Sequence, residues 1–167
     1  MENKAVSDTG PIIHLSEINS LPVLYKLYSI IIPEEVESEL HKHKIIIPKE
    51  INVKKLNPAF KDKIKIISNQ HSLDLGESVA IALALQEKVN YFFTDDLDAR
   101  LAAQSYSLEA HGSIGILLRA FREKLIDKSK VIDKIKELQT KSSLFITSDI
   151  VQQVIKSVLN FKEESDP

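Results

Sequence analysis

Cysteine and tryptophan are absent from the 167 residues, and glycine (4) and methionine (1) are scarce. Without cysteine there is no disulfide, no thiol nucleophile and no thiolate metal site, so oxygen and imidazole are the only metal ligands left. Long hydrophobic runs are missing too. Ile30-Ile31-Ile32 and Ile45-Ile46-Ile47 each stop at a proline, far short of the roughly 20 residues a membrane span needs. The start, Met1-Glu2-Asn3-Lys4, has neither the basic region nor the apolar stretch of an export signal, and a cytoplasmic location is the expectation. Excess charge of one sign is also lacking. A net charge of −2 provides no global field for nucleic acid, so such a partner must be held by a local patch or through a metal ion. What is present, 43% hydrophobic and 28% charged residues, is the composition of a compact domain. At this length folding buries roughly 70% of the surface the unfolded chain exposes, enough to hold a core without metal or disulfide staples.

The pattern of residues predicts strands alternating with helices. Lys4 to Asp8 reads as a short buried strand, ended by a turn at Thr9-Gly10-Pro11. Helices are expected at 11–18 and 21–28, a β-branched strand over Ser29–Ile32, and a helix from Glu34 with acids in its first turn. Between 41 and 65 eight lysines, Lys42, Lys44, Lys49, Lys54, Lys55, Lys61, Lys63 and Lys65, face only Glu50 and Asp62, a local charge of +6. Inside that stretch Lys63-Ile64-Lys65-Ile66-Ile67 alternates like a strand. A nearly all-apolar helix follows at 75–87, then the strand Asn90-Tyr91-Phe92-Phe93-Thr94 and helices at about 97–105, 114–124, 128–140 and 148–160. With few hairpin signals, this order predicts an α/β sandwich around a parallel sheet.

Four acids share a telling context. Asp8 ends the first strand, Glu39 lies on the helix after the second, Glu77 opens the apolar helix and Asp96 follows the Phe-rich strand. All strand C-termini of a parallel sheet lie on one edge, where α/β proteins bind ligands, so Asp8 and Asp96 converge there if their strands are neighbours. Crowded carboxylates repel, and a divalent cation relieves the conflict; an all-oxygen set favours Mg²⁺ or Mn²⁺ over Zn²⁺. Plainer explanations exist for each acid. Asp74 and Glu77 have the spacing of a capping box, Asp96 and Asp98 suit a helix N-terminus, Asp96 and Arg100 are an i,i+4 pair, Asp8 fits a turn, and Glu39 sits in an acidic helical face.

Taken in order, Val6-Ser7-Asp8-Thr9-Gly10-Pro11-Ile12-Ile13, Ile31-Ile32-Pro33-Glu34-Glu35-Val36-Glu37-Ser38-Glu39-Leu40, Leu75-Gly76-Glu77-Ser78-Val79-Ala80-Ile81-Ala82-Leu83-Ala84 and Phe93-Thr94-Asp95-Asp96-Leu97-Asp98-Ala99-Arg100 resemble the motifs of PIN-domain proteins. The continuation Gly112 to Arg119 and the C-terminal helical pair are most similar to the VapC-like branch. The resemblance covers nearly the whole chain. It implies a three-layer α/β/α sandwich with a central parallel sheet plus C-terminal helices: one domain over 1–167, with a core at about 4–125 and a helical extension at about 126–163. It also implies a catalytic set of Asp8, Glu39, Glu77 and Asp96, with Asp8, Glu77, Asp96 and Asp98 as metal ligands and Thr9, Ser78, Thr94 and Asp95 supporting them. Two departures stand out: Gly10 occupies a position where many relatives have Ser or Asn, and Asp95 and Asp96 are adjacent, the Thr-x-Asp spacing selecting Asp96.

The activity implied is that of an endoribonuclease dependent on Mg²⁺ or Mn²⁺, acting as the toxin of a toxin–antitoxin pair. Water would be the nucleophile, leaving 5′-phosphate and 3′-hydroxyl ends. A catalytically silent binding module, or a nuclease of another substrate, is the alternative on the same fold. Arg100, Lys42 and Lys44 are candidates for holding RNA phosphates. A homodimer and a cognate antitoxin are the expected protein partners, with part of the apolar surface of 11–28 available to them. His41 and His43 on one helix end point to different faces, and His14, His71 and His111 fall in unrelated patterns, so no histidine is expected in the site.

Overall fold

The computed structural model describes residues 3–162. Its centre is a five-stranded, all-parallel sheet in the order β3-β2-β1-β4-β5, comprising β1 (Lys4–Ser7), β2 (Ser29–Pro33), β3 (Asn52–Lys54), β4 (Tyr91–Phe93) and β5 (Glu109–His111). The inner strands are apolar on both faces: Ala5, Val6, Ile30, Ile32, Phe92 and Phe93 are fully buried, as a parallel sheet covered on two sides requires.

Nine α-helices accompany the sheet among the described residues: α1 (Thr9–Glu17), α2 (Leu21–Leu27), α3 (Glu34–Lys42), α4 (Lys61–His71), α5 (Leu75–Gln86), α6 (Leu97–Ser105), α7 (Ser113–Arg122), α8 (Lys128–Thr140) and α9 (Ser148–Leu159). One layer is built by α5 lying across β1, β2 and β4 with α4 beside it and α6 packed on α4. Ser78 to Ala84 of α5 are all buried, which explains why this helix has no polar face. The other layer contains α1, α2 and α7, with α8 packed on α7 and α9 on α8. Val131, Ile135 and Leu138 of α8 and Val158 of α9 join the common core. The three-layer α/β/α architecture is the one predicted.

The chain moves from β1 outward through β2 to β3, then returns to place β4 on the other side of β1. This reversal makes the gap between the C-terminal ends of β1 and β4 the topological switch point, where open α/β sheets bind their ligands.

Three local expectations are corrected. Residues 63–67 lie within α4, not in a strand: Ile64 and Ile67, three apart, are the positions turned inward, while Lys65 and Ile66 are exposed. The strand on that side is β3, whose three residues are all exposed and which carries no apolar pattern to announce it. No separate turn divides β1 from α1 either. The helix starts at Thr9, Gly10 and Pro11 form its first turn, and Gly10 has no positive φ.

Candidate active site

A cavity of about 320 Å³ opens at the switch point, lined by Asp8, Glu39, Asp74, Glu77, Asp95 and Asp96 together with Thr9, His14 and the loop residues Ser143 to Phe145. Each acid is delivered by the end of an element. The Asp8 amide donates to the Phe93 carbonyl at 2.7 Å, which fixes Asp8 against the end of β4. Asp8 occupies the N-cap position of α1 in extended conformation, yet its side chain caps nothing. Instead Thr94 Oγ1 donates to Asp8 Oδ2 at 3.0 Å and accepts from the Asp96 amide at 3.2 Å. One buried hydroxyl thus ties the β1 acid to the β4 acid.

The remaining acids reach the cavity from helices. Thr9 Oγ1 donates to Glu39 Oε2 at 2.8 Å, joining α1 to α3. A Cβ added at Gly76 would lie 3.7 Å from that same Glu39 oxygen, so the Glu39 carboxylate sits against the start of α5. There Asp74 and Glu77 form a complete capping box: the Glu77 amide donates to Asp74 Oδ1 at 2.8 Å and the Asp74 amide to Glu77 Oε2 at 3.1 Å. Asp96 caps α6, accepting from the Ala99 amide on Oδ1 at 2.8 Å. Both capping readings of the sequence therefore hold. The second oxygens of Glu39, Glu77 and Asp96 receive no hydrogen bond among the described residues.

Asp95, adjacent in sequence, is committed elsewhere. Its Oδ1 accepts from the Ser113 amide, and its Oδ2 from Ser113 Oγ and His14 Nδ1, each at 2.6 Å. With both oxygens so occupied, Asp95 ties α1 to α7 while Asp96 keeps a free oxygen. Gly112 makes this possible, because a Cβ there would meet Asp95 Oδ1 at 2.5 Å.

Burial acts on two of the acids. Loss of water around Asp8 raises its carboxyl from 3.8 to about 6, against the pull of the Thr9 amide and the Thr94 hydroxyl, with Asp74 and Glu39 adding repulsion. Glu77 is pushed from 4.5 to about 7, again chiefly by burial, with Asp74, Asp8 and Asp96 adding negative charge. Both shifts record carboxylates short of positive charge.

The donor set fits a hard divalent cation: apart from the His14 imidazole, the ionisable side chains lining the cavity are all carboxyl groups, and burial raises two of them. Among the described residues no group of three or more acidic or imidazole side chains is already placed to hold a metal ion. Mg²⁺ does not need one, since it commonly takes one or two carboxylates and completes its octahedron with water and substrate oxygens.

A family model described as a PIN domain (DUF3368) matches residues 4–160. The chain belongs to the PIN-domain family. No curated protein is matched by the chain. PIN domains are generally nucleases, and PIN-domain nucleases typically use divalent metals. Among the described residues no helix is long and apolar enough to cross a membrane.

Not every predicted position reaches the cavity. Asp98 is exposed in the first turn of α6 and does not line it. Ser78 is buried and donates to the Asp74 backbone carbonyl at 2.8 Å, so it steadies the start of α5 and bonds to no carboxylate of the site. Lys42 and Lys44 are exposed at the end of α3, away from the cavity lining. Arg100 forms no ion pair with Asp96 among the described residues; it lies in a neighbouring groove of about 350 Å³ that shares Asp95, Leu144 and Phe145 with the acidic cavity. Its Nε is buried without a partner.

Three contributors escaped the sequence. Asp74 was visible only as a cap. His14 reads as an isolated histidine in the sequence. The loop between α8 and α9 gave no signal, yet Ser143 Oγ donates to Glu17 Oε1 at 2.6 Å, which moors that loop beside the cavity and holds Phe145, 88% exposed, at its rim.

Proposed function

We propose that this PIN-domain chain is a metal-dependent endoribonuclease of the VapC-like type and the toxin of a toxin–antitoxin pair. The observation that carries the nuclease reading is the meeting of Asp8, Glu39, Glu77 and Asp96 in one cavity at the switch point, with Asp8 and Glu77 raised by burial. Asp8, Glu77 and Asp96 would hold Mg²⁺ or Mn²⁺, and Glu39 would hold its waters or join the set. Asp98 stands outside this set because it does not line the cavity.

Bound there, a divalent cation would lower the pKa of water and offset charge on the scissile phosphate. The chain's own residues supply the orientation. Thr94 aligns Asp8 with Asp96, Thr9 aims Glu39, and the capping box fixes Glu77 on the first turn of α5. The four carboxylates exclude a bare phosphodiester by repulsion, so substrate entry is coupled to cation binding. Arg100 in the adjoining groove, and Lys42 and Lys44 further out, would hold flanking phosphates. A homodimer and an antitoxin partner, as well as a cytoplasmic location, belong to the same proposal and are drawn from the VapC-like resemblance.

A catalytically silent binding module is the second reading, favoured by one observation: Glu77 and Asp96 already serve as helix caps. Thermal unfolding during a Mn²⁺ titration separates the two. Binding only to the folded state stabilises by about 2.7 kcal/mol at a hundredfold excess over Kd. A nuclease shows that rise, and Asp8→Asn abolishes it; a silent module shows no rise in either protein.

A further inference from the structure

His14 lines the acidic cavity, and no described residue lining it carries another side-chain nitrogen. Its ring is held rigidly. Nδ1 donates to Asp95 Oδ2 at 2.6 Å, and Asp95 is itself fixed by the amide and hydroxyl of Ser113. With side-chain exposures of 14% for His14 and 9% for Asp95, the pair is largely shielded from water. An imidazole whose Nδ1–H is engaged by a carboxylate is fixed in orientation and turns Nε2 away from that partner. Here Nε2 meets no partner among the described residues, and it is not sealed in, since the buried side-chain atom without a partner is Arg100 Nε.

The other lining groups cannot deliver a proton so readily. The Thr9 hydroxyl is spent on Glu39 and the Ser143 hydroxyl on Glu17, and the remaining polar side chains of the cavity are carboxyl groups, which a bound divalent cation would hold in the ionised form. Phosphodiester cleavage that leaves a 3′-hydroxyl needs a proton on the departing oxygen. We propose that His14 is a catalytic residue, the general acid that protonates this leaving 3′-oxygen, with Asp95 as its positioning residue. The inference rests on the nuclease reading of the cavity. As water oxygen forms its bond to phosphorus, the P–O3′ bond breaks and its electron pair stays on O3′, which takes the Nε2 proton. The attacking water gives up one proton to solvent, and neutral His14, still donating from Nδ1 to Asp95, regains one from solvent.

The test compares two leaving groups in Mn²⁺: an RNA oligonucleotide with one ordinary linkage open to cleavage, and the same strand with sulfur bridging the 3′ position of that linkage. A thiolate departs without a proton, whereas an alkoxide does not. His14→Asn keeps a donor near the Nδ1 position for Asp95 and removes Nε2; His14→Gln serves as a second variant, and thermal unfolding checks that both are folded. General acids contribute about 10²–10⁴-fold. The expected result is a loss of kcat of about 100-fold or more on the oxygen linkage, with the sulfur linkage cut at close to the wild-type rate by both variants. Equal slowing on both linkages, or no slowing on either, overturns the assignment while leaving the nuclease reading intact. Wild-type protein that cuts neither linkage in Mn²⁺ overturns that reading and the role of His14 with it.

Discussion

Thr94 Oγ1 stands between Asp8 and Asp96, donating to the Asp8 carboxylate at 3.0 Å and accepting from the Asp96 amide at 3.2 Å. Thr94 is fully buried, so neither bond can be replaced by water. Thr94→Val keeps the shape and deletes both. The expected cost is about 1–3 kcal/mol of stability from the buried groups left unsatisfied, together with a loss of about 10–100-fold in Mn²⁺ affinity as Asp8 loses its alignment. Chemical denaturation and calorimetric titration measure the two effects separately.

Glu77 serves the helix and the cavity at once, and two substitutions divide these roles. Glu77→Gln preserves an acceptor for the Asp74 amide and removes the charge, so stability should hold or rise while metal-dependent cleavage is lost. Glu77→Ala breaks the capping box as well, at a cost of about 1 kcal/mol. Unfolding midpoints compared with cleavage rates for the pair check both statements.

The raised carboxyls give the metal-free protein a definite pH response. Asp8 holds its proton up to about pH 6 when folded but releases it near 3.8 when unfolded, and Glu77 does so up to about 7 against 4.5. Through these windows the unfolded chain binds fewer protons than the folded one, so stability falls as pH rises. For Asp8 the loss is about 3 kcal/mol, complete above pH 6. Protons and cation compete for the same oxygens, so the gap in Tm between Mn²⁺ and EDTA should widen from pH 5 to pH 8. Thermal unfolding across that range provides the check.

Gly112 has an ordinary φ of −99°, and its requirement is space. A methyl group there displaces Asp95 Oδ1 and with it the bond from the Ser113 amide. Gly112→Ala should lower stability by about 1–3 kcal/mol and release His14, which the histidine ring signals in an NMR spectrum report.

Much of this architecture can be read along the chain because it depends on local pattern. The apolar runs of β1, β2 and β4 and the all-apolar α5 declare buried elements, and the acids that end or follow them fall at the switch-point edge by geometry alone. What escaped depends on contacts distant in sequence or on weak local signals. β3 and β5 are three-residue outer strands with little burial, so no alternation marks them. In α4 the Lys-Ile-Lys-Ile-Ile order mimics a strand, and packing of Ile67 against the core decides for helix. His14 gains its partner from 81 residues away, and Ser143 reaches Glu17 across 126; no spacing rule links such pairs. The Thr-x-Asp spacing selects Asp96 over Asp95, but the partners that occupy both oxygens of Asp95, Ser113 and His14, lie far off in sequence and leave no local signal.

The most direct measurement is cleavage of a mixed set of labelled RNAs and single-stranded DNA by the purified chain in Mn²⁺, Mg²⁺ or EDTA, beside Asp8→Asn and Asp96→Asn. The predicted result is RNA cutting in either cation, with 5′-phosphate and 3′-hydroxyl ends, abolished by EDTA and reduced at least about 100-fold in both variants. Cutting that persists in EDTA or in both variants, or a folded wild type that neither cuts RNA nor binds Mn²⁺, would contradict it.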